Sequence, residues 1–307
     1  MTGSTATTGR GPLLVLAGAA LWGTTGTVHT LAPDGASALS VSLLRLGIGA
    51  AGLLAFAAAT GRLRSPAALP RTALLVAVVA MAASQPLWFA AVDRTGVAIA
   101  AVVSIGVAPV LTGGLGLALL GERVGRRWLV ATALAVAGAT LLVTGGESVG
   151  VDPRGVVLAF LAGSAYAVYA VAAKYLLVAA EPVAVMAIVF TGAAVLLLPL
   201  PAVTSFTWVA SPDGLAAALW LGLVTTSLAY VLFARGLRHT PVATAVTLSL
   251  MEPLTATVAG FVVLDQHLGA RALIGSGVLL AGILVLARPR PREPGARPAP
   301  ARMEGPG

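Results

Sequence analysis

Residues 89–127 read FAAVDRTGVAIAAVVSIGVAPVLTGGLGLALLGERVGRR, and residues 233–271 read FARGLRHTPVATAVTLSLMEPLTATVAGFVVLDQHLGAR. A shift of 144 residues lays the first on the second without a gap, and the match continues to Leu142. Phe89, Arg94, Pro109, Gly116, Leu120, Gly125 and Arg127 fall on Phe233, Arg238, Pro253, Gly260, Leu264, Gly269 and Arg271. Upstream, Trp22 falls on Tyr166 at the same shift. Alanine and leucine coincidences are cheap in a chain of this composition, but Phe, Arg and Pro at one fixed offset mark an internal repeat.

The solvent of this repeat is read from composition. Of 307 residues, 58% are hydrophobic and 10% charged, and the mean hydropathy is +0.96. A water-facing domain carries roughly 25% charged residues, so most of this surface is expected to meet lipid. Ten apolar runs are about long enough to span a bilayer core of ~30 Å: 13–31, 36–58, 73–92, 97–120, 128–145, 155–177, 182–203, 214–235, 242–264 and 270–287. The connections are short and hold turn residues such as Asp34-Gly35, Asp152-Pro153 and Ser211-Pro212-Asp213-Gly214. The first run is followed by further spans and carries Trp22-Gly23, so it is expected to be retained rather than cleaved as a signal peptide. The expected fold is an all-α polytopic membrane protein, ten transmembrane helices in two inverted five-helix repeats, 13–145 and 155–287, with a disordered cytoplasmic tail at 288–307.

Two arguments give the orientation. Five spans per repeat is an odd number, so the second repeat must enter the bilayer upside down relative to the first. With the N-terminus inside, fifteen of the nineteen Lys and Arg residues fall on the inner side, and only Arg94, Arg154 and Arg271 fall outside. Positive loops face the cytoplasm, which places both termini there. The net charge of +8 is then directed at anionic lipids of the inner leaflet rather than at nucleic acid. Cysteine is absent, which excludes disulfides and thiolate chemistry. His29, His239 and His267 have no metal-ligand spacing, and no phosphate-binding loop or other cofactor motif is present.

The chain resembles the drug/metabolite transporter superfamily, EamA type. The resemblance rests on 91–101 (AVDRTGVAIAA), Pro109 and Leu120-Gly121-Glu122-Arg123, on Leu250-Met251-Glu252-Pro253 in the second copy, and on Arg45 and Trp22-Gly23. In the second copy Asp265-Gln266 stands where the family usually ends in Gly-Glu. The resemblance implies ten helices and solute transport, often export, and names no solute.

Ionisable residues at membrane depth are the first functional candidates, because an unpaired charge in hydrocarbon is costly. Glu252, in the ninth run, reads either as a proton-binding or cation-recognising carboxylate or as a structural partner of Arg45 in the second run. Lys174 reads as a side chain that snorkels to the inner headgroups. Pro109 and Pro253 occupy matching depths and are candidate hinges or carbonyl-exposing kinks. Polar and aromatic residues recur on single helix faces: Trp22 with Thr25, Gln85 with Trp88, Tyr166 with Tyr169, and Thr226 with Tyr230. These sets are expected to line a solute cavity, while Trp128, Trp208 and Trp220 read as interface belt residues.

The expected function is secondary transport of a small metabolite or amphipathic compound across the cytoplasmic membrane by alternating access. Export is the favoured direction and proton coupling a secondary reading. A passive channel or facilitator is the alternative. An intramembrane enzyme has only Ser164 to recommend it, with no histidine placed to activate it. The expected partners are a small-molecule solute and membrane lipids; oligomeric state is not legible.

Overall fold

The computed structural model describes residues 10–62, 69–144, 152–265, 267 and 269–287. The expected tail at 288–307 and Gln266 of the Asp265-Gln266 pair lie outside them. Among the described residues every regular element is helical. The helices are α1 (Arg10–Leu31), α2 (Ala38–Ala59), α3 (Arg71–Leu120), α4 (Arg126–Val143), α5 (Pro153–Ala179), α6 (Pro182–Leu196), α7 (Pro212–Leu219), α8 (Ala229–His239), α9 (Val242–Leu248), α10 (Met251–Val263) and α11 (Ala270–Ala287). A π-helical stretch, Trp220–Leu228, joins α7 to α8.

Eight of the helical segments are long and apolar enough to cross a membrane, where the sequence suggested ten. The difference has two physical sources. First, α3 runs for 50 residues, about 75 Å of helix, and absorbs two expected spans. Its two arms meet at Gly96, whose φ of 78° and ψ of 160° belong to a region essentially reserved for glycine. Second, α6 stops after 15 residues, although the apolar run continues to Val203. Pro199 and Pro201 lack N–H donors and cannot extend an α-helix, so the chain turns there and continues as a short 3₁₀ segment, Leu200–Val203.

The packing repeats the sequence symmetry. α1 lies along α8 and α10, and its counterpart α5 lies along both arms of α3. α4 and α11, equivalent at the 144-residue shift, pack on each other. A Cβ on Gly138 would stand 2.7 Å from the Gly275 carbonyl oxygen, and one on Gly282 would stand 2.7 Å from the Ala131 carbonyl oxygen. Gly138 is therefore to Gly275 as Gly282 is to Ala131: the contact is its own image under exchange of the halves. Along this seam Ala131 meets Gly282 while Leu142 meets Gly275, so the two equivalent helices run antiparallel. Lipid gives helices no apolar incentive to associate, and such close backbone approach supplies the dispersion contacts instead.

Contacts at one end of the bundle join residues from many helices. Gly11 meets Thr240, Arg62 pairs with Glu181 at 3.4 Å, and Arg127 donates to the carbonyl of Val285. Arg94 and Asp152, paired at 3.7 Å, lie at the opposite end.

Lys174 does not snorkel toward headgroups. Its Nζ donates to the carbonyls of Leu237, Arg238 and Thr240 at 2.6, 3.2 and 2.8 Å, which satisfies orphan acceptors at the C-terminus of α8. It also stands 3.7 Å from Glu122 Oε1, and Glu122 Oε2 accepts from the Val242 N–H at the start of α9. One ion pair thus caps two helix ends and ties α5 to the α3–α4 loop and the α8–α9 turn.

Two outcomes follow. Gly138→Leu and Gly282→Leu each force α4 from α11 and lose the monodisperse folded protein in size-exclusion chromatography, whereas Gly114→Ala, with open space around its Cβ, does not. Lys174→Met strands the half-buried Glu122 carboxylate and three carbonyls and costs about 2–4 kcal/mol, read as a lowered thermal midpoint in detergent.

Candidate functional site

The aromatic residues expected on separate helix faces converge. Tyr230 of α8 is the hub, with ring centroids 4.7 Å from Trp22, 4.4 Å from Phe190 and 6.3 Å from Tyr169. Tyr166 stands 5.9 Å from Tyr169, and Phe233 stands 5.2 Å from Trp22. Tilted and edge-on pairs of this kind are favourable beyond their buried area. Trp22 comes from the first repeat and the other rings from the second, so the cluster bridges the halves. Phe190 and Phe233 were not singled out from the sequence as site residues. Phe233 lies three residues after Tyr230 and shares its face, a signal that was there to read; Phe190 carries none.

Two expected site residues are not among these converging rings. Gln85 Oε1 accepts from Ser42 of α2 at 3.3 Å. Trp88 packs against Ala91, Ala100 and Ala159 in a separate small cluster. The belt expectation also changes. Trp208 is buried and its Nε1 donates to Ser40 Oγ at 3.0 Å, and Trp128 is buried against Gly113. Trp220 is 44% exposed and donates to Thr24. Small residues opposite the first two rings let the indoles enter the helix seams.

Glu252 stands at a break in the helix. Proline at 253 cannot donate to the carbonyl of Ser249 and crowds it, so α9 ends at Leu248 and α10 begins at Met251. The Ser249 carbonyl accepts instead from the Glu252 N–H at 3.0 Å. This places Glu252 in the first turn of α10, where the positive end of the helix dipole favours a carboxylate. The two prolines differ here: the helix runs unbroken through Pro109, and the Thr112 hydroxyl bonds the carbonyls of Ala108 and Pro109 at 2.9 and 3.0 Å.

The Glu252 side chain is accessible, yet the groups within electrostatic reach of it, Arg45, Tyr166 and Tyr230, come from three other helices. Gly23 of α1 packs against the backbone of Glu252 and Ala256. The space Glu252 opens into is therefore a crevice among α1, α2, α5, α8 and α10. Arg45 reaches it from α2. Its Nε donates to Thr226 Oγ1 at 3.4 Å, and Thr226, in the π-helical stretch, donates to the Leu221 carbonyl at 2.9 Å. Arg45 and Glu252 form no ion pair within 4.0 Å. Two buried polar atoms on the surrounding helices, Trp22 Nε1 and Thr25 Oγ1, have no hydrogen-bond partner among the described residues, whereas the Tyr166 hydroxyl lies beside Ser249. Among the same residues no cluster of three or more His, Asp or Glu side chains could hold a metal ion.

Comparison with known proteins agrees with the repeat. Residues 9–144 and 153–288 each match the EamA-like transporter family. The chain is 40% identical over 279 residues to the uncharacterized transporter YwfM of Bacillus subtilis, covering 91% of this chain and 94% of that one. It is 32% identical over 276 residues to the threonine/homoserine exporter RhtA of Escherichia coli, covering 88% of each. It is 31% identical over 261 residues to a probable terminal-alkyne amino-acid exporter of Streptantibioticus cattleyicolor, covering 83% of this chain and 86% of that one. A solved crystal structure shares the fold, with a TM-score of 0.77 and 20% identity over 91% of this chain and 98% of its own. The chain, an all-helical multi-pass membrane protein with two copies of one domain, belongs to the EamA-like transporter family of the drug/metabolite transporter superfamily.

Proposed function

We propose that the protein is a secondary transporter that exports a small metabolite across the cytoplasmic membrane by alternating access. The antiparallel contact of α4 with α11 carries this reading. Equivalent helices that run in opposite senses across a shared seam are what inverted repeats require, and transporters of that design hold their solute at the interface of the halves. The chain then crosses the bilayer ten times, with the Gly96 break separating two passes of α3 and α6 completing a short pass through its 3₁₀ continuation. The end that gathers Arg62, Arg127 and Lys174 faces the cytoplasm, with both termini. The five-helix repeats correspond to 13–145 and 155–287.

The aromatic cluster, Glu252 and Arg45 form the solute site, with Trp22, Thr25, Tyr166, Tyr169 and Tyr230 around it. Gln85, bonded to Ser42 one turn before Arg45 on α2, stays at the edge of this site, while Trp88, in its own small apolar cluster, supports it from behind. The break before Pro253 is the stronger hinge, because α9 and α10 are already separate helices there, joined across the break by the bond from the Glu252 N–H to the Ser249 carbonyl; Pro109, inside an unbroken helix, acts as a packing kink. Glu252 is the group through which proton movement would couple to the solute. An enzymatic reading gains no support from Ser164, whose hydroxyl is bonded to the Phe160 carbonyl at 2.7 Å.

Export is tested in cells and vesicles preloaded with candidate solutes, threonine and homoserine first, since one relative is named for exporting them. Efflux should saturate with internal solute and need no nucleotide. Flux that rises linearly without saturation would favour the channel alternative. Glu252→Gln should abolish any response of efflux to an imposed pH gradient while leaving the protein folded.

A further inference from the structure

Arg45 and Glu252 pose a specific physical problem. Each is an ionisable group within a membrane-spanning helix, where an isolated charge is costly. They face the same crevice with opposite signs, yet they do not close on each other. Both are held back by their own helices. The Nε of Arg45 is tethered to Thr226, and α2 is locked against the π-helical stretch by Gly49 at Thr226 and Gly222 at Ile48. Glu252 is fixed by the close approach of Gly23 to Thr255 and Ala256. Among the described residues, the terminal nitrogens of Arg45 and the carboxylate oxygens of Glu252 make no hydrogen bond.

We propose that this gap is a clamp for a zwitterion, an α-amino acid with a free ammonium and a free carboxylate. The solute carboxylate lies on the planar donor fork of Arg45. The ammonium lies on Glu252 and over the faces of the neighbouring rings, where cation–π attraction adds to the ion pair. The side chain points into the rings of Trp22, Tyr166 and Tyr230. Trp22 is 5% exposed with its Nε1 unpartnered, and Thr25 Oγ1 is likewise unpartnered. These two orphaned groups offer one N–H donor and one hydroxyl to the bound solute. A ligand with both charges in the opposite order neutralises the whole crevice. A ligand with one charge leaves the other side buried and unpaired, which is the expensive outcome. The clamp therefore rejects amines, simple carboxylates and uncharged solutes by the same chemistry. This assignment rests on the transporter reading and adds which end of the solute meets which residue.

The test is binding to the purified full chain, so that it does not depend on transport. A panel of neutral L-amino acids, including threonine and phenylalanine, is compared with the N-acetyl and methyl-ester derivatives of each, by concentration-dependent thermal shift. At least one free amino acid should bind, and blocking either end should weaken it by about 10- to 100-fold. In Glu252→Gln the penalty for N-acetylation should disappear while that for esterification persists, and in Arg45→Gln the reverse. This crossed pattern separates a clamp from a structural role, which would lower every affinity alike. If blocked and free ligands bind the unmodified protein equally, or if no neutral amino acid binds, the clamp is wrong even if the variants fail to fold. Saturable efflux of some other solute would then leave the transporter reading standing, whereas failure of all saturable flux would remove that reading too.

Discussion

Gly138 and Gly282, 144 residues apart, each lie against the backbone of the other's helix. That reciprocal contact is the constraint on which the rest of the molecule depends. In lipid, helices are not driven together by apolar burial, so association falls to dispersion at close range, and only glycine permits backbones this near. Because the contact maps onto itself when the halves are exchanged, it fixes one repeat against the other in opposite sense. The pairing of α1 with α8 and α10, and of α5 with the two arms of α3, follows the same exchange.

The symmetry is broken around the proposed solute site. Trp22 and Tyr166 are equivalent, but Glu252 has Ala108 as its counterpart. Pro253 interrupts its helix where Pro109 does not. The first repeat supplies the cation Arg45, and the second supplies the anion and most of the rings. At the end of the bundle that carries Arg62 and Arg127, Glu122 and Lys174 close two helix termini with one ion pair. Gln266 occupies the equivalent of Glu122 in the other half, so the sequence cannot form the same ion pair there. A scaffold built from two like halves thus acquires one-sided charges and a one-sided latch.

Much of this was legible beforehand. The 144-residue period, the apolar runs and the loop charges are one-dimensional signals, and they pointed to the two-repeat helical architecture; helix-face spacing singled out Trp22, Tyr166, Tyr169 and Tyr230, and that their rings meet one another is a three-dimensional fact. What was not legible depends on partners far away in sequence. A lone lysine near a helix end looks alike whether it seeks headgroups or, as Lys174 does, the carbonyls of another helix. Trp128 and Trp208 have the composition of belt residues, and only Gly113 and Ser40 across the seam draw them inward. Hydropathy alone carried the seventh run to Val203, whereas backbone chemistry at Pro199 and Pro201 ended α6 at Leu196. Gly96 divides α3 by a backbone angle, which no apolar count can register.

The opposed insertion of the two repeats can be measured directly, because the chain contains no cysteine. Arg123 and His267 occupy equivalent loop positions at the 144-residue shift and are both accessible. Single Arg123→Cys and His267→Cys variants in intact cells are treated with a membrane-impermeant maleimide, before and after permeabilisation. Inverted repeats predict that the cysteine at 267 reacts at once and the cysteine at 123 only after permeabilisation. If both react under the same condition, the two halves enter the bilayer in the same sense and the account fails.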